Sequence, residues 1–460
     1  MLSQRLKNIL LYGSTITVII IGTALLVAIA RGYRYDFLNR RITQTGLVLI
    51  DSQPNGASIF VNDKYINQKS PYRIEAADIG QMTVKLTRAG YRDWMRTFTV
   101  HPEQVSFLDY AWLLPNQLDY EKPLSNVTPT NLMPSGDHRK TYYQTKDPEI
   151  AIWQYLGQSN PQRIYTAPTS QNGSTVKEID SLQASYDGSQ LLYRVVSDNP
   201  SWFIKNIGSN DAIDILDTLK ISVGTIILNP SNRNEPFWLE NGNLHKLNLD
   251  AKSVGPIVQS NVNAVSIKTD KVVYSTIDPA TQKTSVFFTT TSFEKVTRVP
   301  LKSTDDNGPF VLDYSRFRDT DYIYALSQTS GTLFITSDPS GTNTRQSIYG
   351  KSVKNFIVSP SGRYILTDDR GKQNTYDFEL GYYYPSNTSL DELQSWLWID
   401  DNHIIVKTAG RLRMIDYDGS NSQELSEPSD KIPSFAYQFD TKTVLYRNDT
   451  SFKQVFLIKR

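Results

Sequence analysis

Four histidines, His101, His138, His245 and His403, are the only imidazoles in the chain, and no cysteine accompanies them. No two stand at the spacing by which one helix or hairpin presents paired metal ligands, so a histidine metal site would need assembly at long range. The missing thiols exclude disulfides, thiolate catalysis and cysteine-ligated zinc, and leave the redox compartment open. There is no G-x-S-x-G nucleophile elbow and no glycine-rich phosphate loop. The stretch "DYDGSN", Asp416 to Asn421, has the carboxylates of a calcium loop but lacks the twelfth-position Glu and the flanking helices, and it reads as a turn. No catalytic, cofactor-binding or metal residue is assigned. What remains is recognition: Tyr382, Tyr383 and Tyr384 in "GYYYPS", and Trp396 and Trp398 in "SWLW", could stack on a glycan or peptide. The same rings could serve instead as ordinary packing between sheets.

The elements that position these residues follow from composition and patterning. With 460 residues the chain exceeds one ordinary core, and 48 basic against 47 acidic residues leave no field to recruit nucleic acid. From Ile9 to Ala30 there are 22 residues without a charge, about 33 Å as a helix against a hydrocarbon core of about 30 Å. Arg5 and Lys7 precede this run, and Arg31, Arg34, Arg40 and Arg41 follow it, mixed with Tyr33, Tyr35 and Phe37. The reading is a retained anchor, with a cleaved signal ending at Ala28-Ile29-Ala30 as the alternative. The local Lys/Arg count favours a cytoplasmic flank after the helix, but long domains translocate largely regardless of charge. The expected topology is a single-pass cell-membrane protein with its C-terminal domains extracytoplasmic.

Beyond the anchor, alternation at period two dominates. Met82, Val84 and Leu86 alternate with Thr83, Lys85 and Thr87, as a strand with one buried face requires. Residues 45–115 read as roughly six short strands separated at Pro54 to Gly56, Ser70-Pro71 and Ala89 to Tyr91, which predicts a small β-sandwich. Pro54, Asn55, Gly56 and Ala57 form a joint: Pro presets one turn dihedral, and Gly lets the chain enter the next strand without a Cβ clash. This stretch resembles the PEGA domain family, with Asn55 in place of its Glu. "IFVND" (with Lys64 where a Gly is expected), "KSPYRI" and the Gly90-Tyr91 hairpin in "LTRAGYRDW" add to the resemblance. It implies a small extracytoplasmic sandwich in which Pro54, Gly56, Ala57, Gly90 and Tyr91 are structural turn residues and nothing is catalytic.

Four prolines between Leu114 and Pro134 mark a linker. From about Asn131 to Arg460 a strand, tight turn and strand recur in eight copies, with turns at Ser135, Asp187, Ser231, Asp270, Asp319, Ser361, Asp401 and Thr441. Their mean spacing of about 44 residues is that of a four-stranded propeller blade. The last copy has room for too few strands, so the linker near Leu118 to Thr130 is expected to supply the missing outer strand. "RLRMIDYDGSNSQELS" and "FIVSPSGRYILT" resemble the hairpins of TolB-type propellers.

The predicted architecture is all-β after one transmembrane helix. Residues 1–30 are cytoplasmic tip and anchor, 31–44 a juxtamembrane segment, 45–115 a PEGA-like sandwich, and 116–130 a linker and closing strand. Residues 131–460 are a TolB-like β-propeller of eight blades, or seven if the third copy is an insertion. The expected function is a non-enzymatic, membrane-anchored envelope scaffold whose monomeric propeller binds a protein or glycan partner, without a cofactor. Alternatives are a propeller hydrolase or lyase acting on envelope glycan and a structural surface-coat component.

Overall fold

The computed structural model describes the chain except residues 1–3, 37–39, 122–128, 148, 158–159, 172, 210, 302–307, 371, 390–394, 409–410, 428–431, 449–451 and 460. Phe37 and residues 122–128 of the assigned linker therefore lie outside the described residues. The chain divides into two compact units, Met1–Leu118 and Asp119–Arg460.

Helix α1 (Gln4–Ala30) opens the smaller unit. Its segment Tyr12–Ile29, of mean hydropathy 2.1, is long and apolar enough to cross a membrane. The Thr17 hydroxyl donates to the Gly13 carbonyl (2.8 Å), so its polarity is satisfied within the helix.

Two sheets follow. Strands β1 (Tyr33–Asp36), β2 (Arg41–Gln53), β5 (Tyr72–Asp78) and β8 (Val105–Trp112) form one, with β8 parallel to β2. Strands β3 (Ser58–Val61), β4 (Lys64–Lys69), β6 (Gly80–Thr87) and β7 (Trp94–Val100) form the other. Alternation decides which side chains meet: Val48 and Ile50 on β2 share a core with Ile59, Val84, Leu86 and Trp94. Strand β4 carries no apolar alternation, since its side chains are mostly polar and exposed. What forms it is the turn before it, where Asn62 and Asp63 both take positive φ (48° and 64°) and Val61 pairs with Lys64, the geometry of a two-residue hairpin loop.

At the joint between β2 and β3, Gly56 has φ +85°, a region costly for any residue with a Cβ. Ser70 pins the joint: its carbonyl accepts from Gly56 N (2.8 Å), and its hydroxyl accepts from Ala57 N (3.0 Å) and meets the Ser52 hydroxyl at 2.5 Å. Gly90 also has positive φ (83°), and the neighbouring Tyr91 carries the Arg88 guanidinium 5.3 Å over its ring. Asn116 N donates to the Gly90 carbonyl (3.0 Å), which closes this turn onto the end of the unit.

The larger unit is built from four-stranded antiparallel sheets, eight among the described residues. Each of the first seven is a meander of consecutive strands; the first runs Pro129–Pro134, Thr141–Thr145, Ala151–Tyr155 and Gln162–Thr166. The eight turn residues picked out by the repeat all lie between the first and second strands of successive sheets. The longer early intervals have physical causes: a hairpin, Ser170–Gln171 with Ser174–Thr175, stands between the first two sheets, and helix α2 (Ile215–Leu219) between the second and third.

Each sheet packs on the next through apolar side chains. Tyr142 and Ile152 of the first meet Leu191 and Tyr193 of the second; Leu192 and Ile204 of the second meet Trp238 and Leu247 of the third. Phe237 and Leu244 meet Val272 and Tyr274 of the fourth, and Val273 and Phe288 meet Phe310 and Tyr314 of the fifth. Tyr324 and Leu326 meet Phe356 and Ile365 of the sixth, where Tyr364 stacks on Trp398 of the seventh at 6.2 Å. Between the seventh and eighth, Lys407 Nζ donates to the Pro433 carbonyl (3.2 Å). The eighth returns to the first: Ala436, Leu445 and Phe452 pack with Leu132, Tyr143 and Tyr155.

The order of sheets is thus a closed cycle, consistent with a propeller arrangement. The eighth sheet takes three strands from the C-terminal end, Ser434–Gln438, Thr443–Arg447 and Phe452–Phe456, and its outer strand is Tyr120–Glu121, paired at Val455↔Tyr120 and Gln454↔Glu121. Burial decides the energetics. A fully buried large apolar side chain contributes about 1.5–3 kcal/mol, whereas the half-exposed ion pairs between sheets contribute about 0–1 kcal/mol each.

Candidate functional site

The turns between first and second strands hold most of the sequence-marked polar residues, and each is tied to its neighbour. Asp137 N donates to the Tyr186 carbonyl (2.9 Å), Arg233 Nη2 to Asp187 Oδ2 (2.8 Å), and Ser231 Oγ to the Thr269 carbonyl (3.0 Å). Further round, Ser361 N donates to Asp401 Oδ1 (2.9 Å) and Phe439 N to the His138 carbonyl (2.8 Å). Burial works to raise the Asp187 carboxyl, but hydrogen bonds from Ser189 and Ser185 and the charge of Arg233 outweigh it and hold the pKa at about 2. These carboxylates join sheet to sheet; they do not converge on a cavity.

The carboxylates on innermost strands are also engaged. Asp180 accepts from Arg194 Nε (2.9 Å) in its own sheet, and Asp313 of the fifth sheet accepts from Lys268 of the fourth (2.8 Å). Among the described residues, no group of three His, Cys, Asp or Glu side chains is placed to hold a metal ion.

The histidines are dispersed. His101 is exposed in the smaller unit, and His245 lies against Trp238 with its Nδ1 3.3 Å from the Gly255 carbonyl. Burial lowers the pKa of His138, whose ring faces Tyr437 at 6.2 Å. His403 is buried at 3% exposure in the seventh sheet, with Nδ1 2.9 Å from both Asp400 oxygens and Nε2 3.8 Å from Asp416 Oδ1. Burial works to raise Asp400, yet the charge and hydrogen bond of His403, with the backbone N–H groups of Asn402 and His403, bring it below the usual carboxylate value. In "DYDGSN", Ser420 Oγ donates to Asp418 Oδ1 (2.7 Å) and Asn421 Nδ2 to Asp416 Oδ2 (2.8 Å), so the carboxylates shape the turn.

The five aromatic residues singled out in the sequence do not form one platform. Tyr382, Tyr383 and Tyr384 lie on the outer strand of the sixth sheet, where alternation sends them opposite ways. Tyr383 faces the fifth sheet, 5.9 Å from Tyr349, while Tyr384 faces the seventh, 5.2 Å from Tyr417, with Tyr382 edge-on to it at 4.7 Å. Tyr382 is 57% exposed. Trp396 is half-buried on the innermost strand of the seventh sheet, and Trp398 on the same strand is buried between sheets.

A cavity of about 460 Å³, open to solvent, lies between the fifth and sixth sheets. Gln328, Thr329 and Ser330 line it from the turn between the second and third strands of the fifth sheet; Ser352 and Lys354 line it from the start of the sixth. The turn is held in shape by hydrogen bonds from Ser330 N to Ser327 Oγ (3.1 Å), Gln328 N to the Pro309 carbonyl (3.0 Å) and Val353 N to the Gly331 carbonyl (2.9 Å). Gly331 has φ +69°, and an added Cβ would lie 3.3 Å from Ser352 Cα, so the two walls approach as closely as glycine allows. The exposed Lys354 adds a cation to a rim of hydroxyl and amide groups. Sequence reading passed over these residues because they are common polar types from two different repeats.

Comparison with known proteins adds one family. No curated protein matches the chain. Among solved structures it is similar to the C-terminal WD40 domain of Sif2, at 12% identity over 74% of this chain and 99% of that chain with a TM-score of 0.49. It is also similar to an oligogalacturonate lyase in complex with manganese, at 12% identity over 73% of this chain and 99% of that chain with a TM-score of 0.42. Residues 45–111, which hold the paired sheets and the Ser70-pinned joint of the smaller unit, match the PEGA domain family, and the chain therefore carries a PEGA domain.

Proposed function

We propose that this chain is a membrane-anchored interaction protein of a cell envelope. Helix α1 holds it in the bilayer, the PEGA domain is a non-catalytic sandwich-type spacer on the extracytoplasmic side, and the larger unit is an eight-bladed propeller of TolB type. The propeller binds a protein or glycan partner at the cavity rimmed by Gln328, Thr329 and Lys354. The observation that carries this reading is the distribution of polar groups. The turn carboxylates and the inner-strand pairs Asp180–Arg194 and Asp313–Lys268 stabilise the ring, while the open polar cavity offers donors and acceptors to an extended ligand. Glycan hydrolysis would call for two carboxyl groups facing one substrate, one of them raised in pKa. Hydrogen bonds and neighbouring cations hold the Asp187, Asp270, Asp278 and Asp400 carboxyls below the ordinary carboxylate value, the opposite of what a general acid needs.

The test uses the full chain, solubilised from membranes with what it holds. Gln328→Trp combined with Lys354→Glu fills one wall and reverses the rim charge, and should weaken partner retention by about tenfold, equivalent to about 1.4 kcal/mol. Unchanged retention would take the cavity out of the account. Release of reducing or unsaturated sugars from purified envelope glycan by the wild-type chain would replace binding with catalysis.

A further inference from the structure

Only Arg31 and Gly32 separate α1 from β1, and both are fixed. Arg31 N donates to the Val27 carbonyl and Gly32 N to the Ile29 carbonyl (each 2.9 Å), and the Gly32 carbonyl accepts from Thr45 N (2.9 Å) and Thr45 Oγ1 (3.1 Å). Gly32 has φ +76°, and an added Cβ would lie 2.5 Å from the Thr45 carbonyl oxygen, so no other residue fits. The β1–β2 hairpin therefore begins where the helix ends, with no slack between them. At about 3.4 Å per residue, its four paired positions lie within about 14 Å of the helix end.

Strand β2 has two parts. Arg41 to Gln44 pair with β1 alone, and Thr45 onward pairs with β5 and then β8. The hairpin thus extends from the PEGA core past the point where the helix joins it. Its register sorts the side chains: Tyr33↔Gln44 and Tyr35↔Ile42 face one side, Arg34↔Thr43 the other. On the first face Tyr33 is 40% exposed, Tyr35 50% and Ile42 71%; Met95 and Phe107 are exposed elsewhere in the unit, and what sets this face apart is its place beside the end of the apolar helix. Arg31 and Arg40 are exposed at the ends of the hairpin strands, while Arg34, on the other face, has its Nη2 3.4 Å from the Glu75 carbonyl.

We propose that this hairpin is a membrane-surface element. The Tyr33, Tyr35 and Ile42 face enters the boundary between headgroups and acyl chains, and the flanking arginines pair with anionic lipid phosphates. The hairpin then fixes the tilt of the PEGA domain on the bilayer. The proposal rests on α1 as a membrane span, and the experiment separates the two.

Because the chain has no cysteine, Ile20→Cys, Ile42→Cys and Thr43→Cys each give one site for a nitroxide label in the full chain. In bilayers of phosphatidylcholine and phosphatidylglycerol, relaxation by oxygen relative to a soluble nickel complex reports depth. The ratio should be several-fold higher at position 42 than at position 43, and should fall at position 42 when phosphatidylglycerol is omitted or Arg40→Glu is added. A label at 20 in the hydrocarbon with a label at 42 as open to nickel as that at 43 would overturn the hairpin proposal and leave the span standing. A label at 20 open to nickel would remove both. Shielding of position 42 from oxygen and nickel alike would assign the face to a second copy of the chain and overturn the proposal.

Discussion

A larger unit beginning at residue 129 should self-associate, whereas one beginning at residue 116 should remain monodisperse. The two differ in Tyr120–Glu121, the outer strand of the eighth sheet, which pairs with Gln454 and Val455. Phe456 N also donates to the Asp119 carbonyl (3.2 Å), and the Tyr120 hydroxyl donates to the Leu425 carbonyl of the seventh sheet (3.1 Å). Without this segment Phe452–Phe456 presents an open row of backbone donors and acceptors, a template for another chain. Light scattering should show dimers or larger species for 129–460, with a lower melting midpoint. Equal mass and equal midpoint in the two proteins would mean that the strand contributes nothing to closure.

His403→Leu should be the most damaging single substitution in the larger unit, lowering its stability by about 3 kcal/mol. The leucine would take a ring nitrogen away from Asp416, 2% exposed and also bound by Asn421, and would remove the Nδ1 contact to Asp400. The expected drop in melting midpoint is roughly 5 °C or more. The pH dependence has a fixed sign. A carboxyl lowered in the folded state, as Asp400 is, adds stability that is complete above its unfolded pKa of about 3.9 and disappears as pH falls through its lower folded value. The gap between wild type and variant should therefore be widest near neutral pH and shrink below about pH 4. A uniform gap across that range would show that lost packing, not the Asp400 contact, is what the histidine supplies.

Some of this structure is legible in the sequence because it is local. An uncharged run of membrane length needs no partner to be recognised, and the recurring turns announce sheets because each turn is built from residues a few positions apart. The joint at Gly56 likewise follows from turn chemistry within Pro54 to Ala57, whereas the Ser70 groups that pin it arrive from a separate turn. Other features depend on distance in space. Strand β4 has no apolar alternation to reveal it, and the juxtamembrane hairpin is set by the pairing of Thr45 with Gly32, well separated in sequence. The cavity brings Gln328 beside Lys354 only when two repeats pack together. The aromatic cluster shows the converse: Tyr382, Tyr383 and Tyr384 are adjacent in sequence, but the strand period of two directs them to different neighbours, and Trp398 belongs to a core.

The central claim is that α1 stays with the chain and holds two β units at a membrane. The most direct measurement is the intact mass of the protein recovered from the membrane fraction after alkaline carbonate extraction. A mass that includes residues 4–30, in a chain that carbonate does not release, is the expected result, together with release of a chain beginning at residue 31. A mature protein that begins after Ala30 and appears in the soluble fraction would contradict the account.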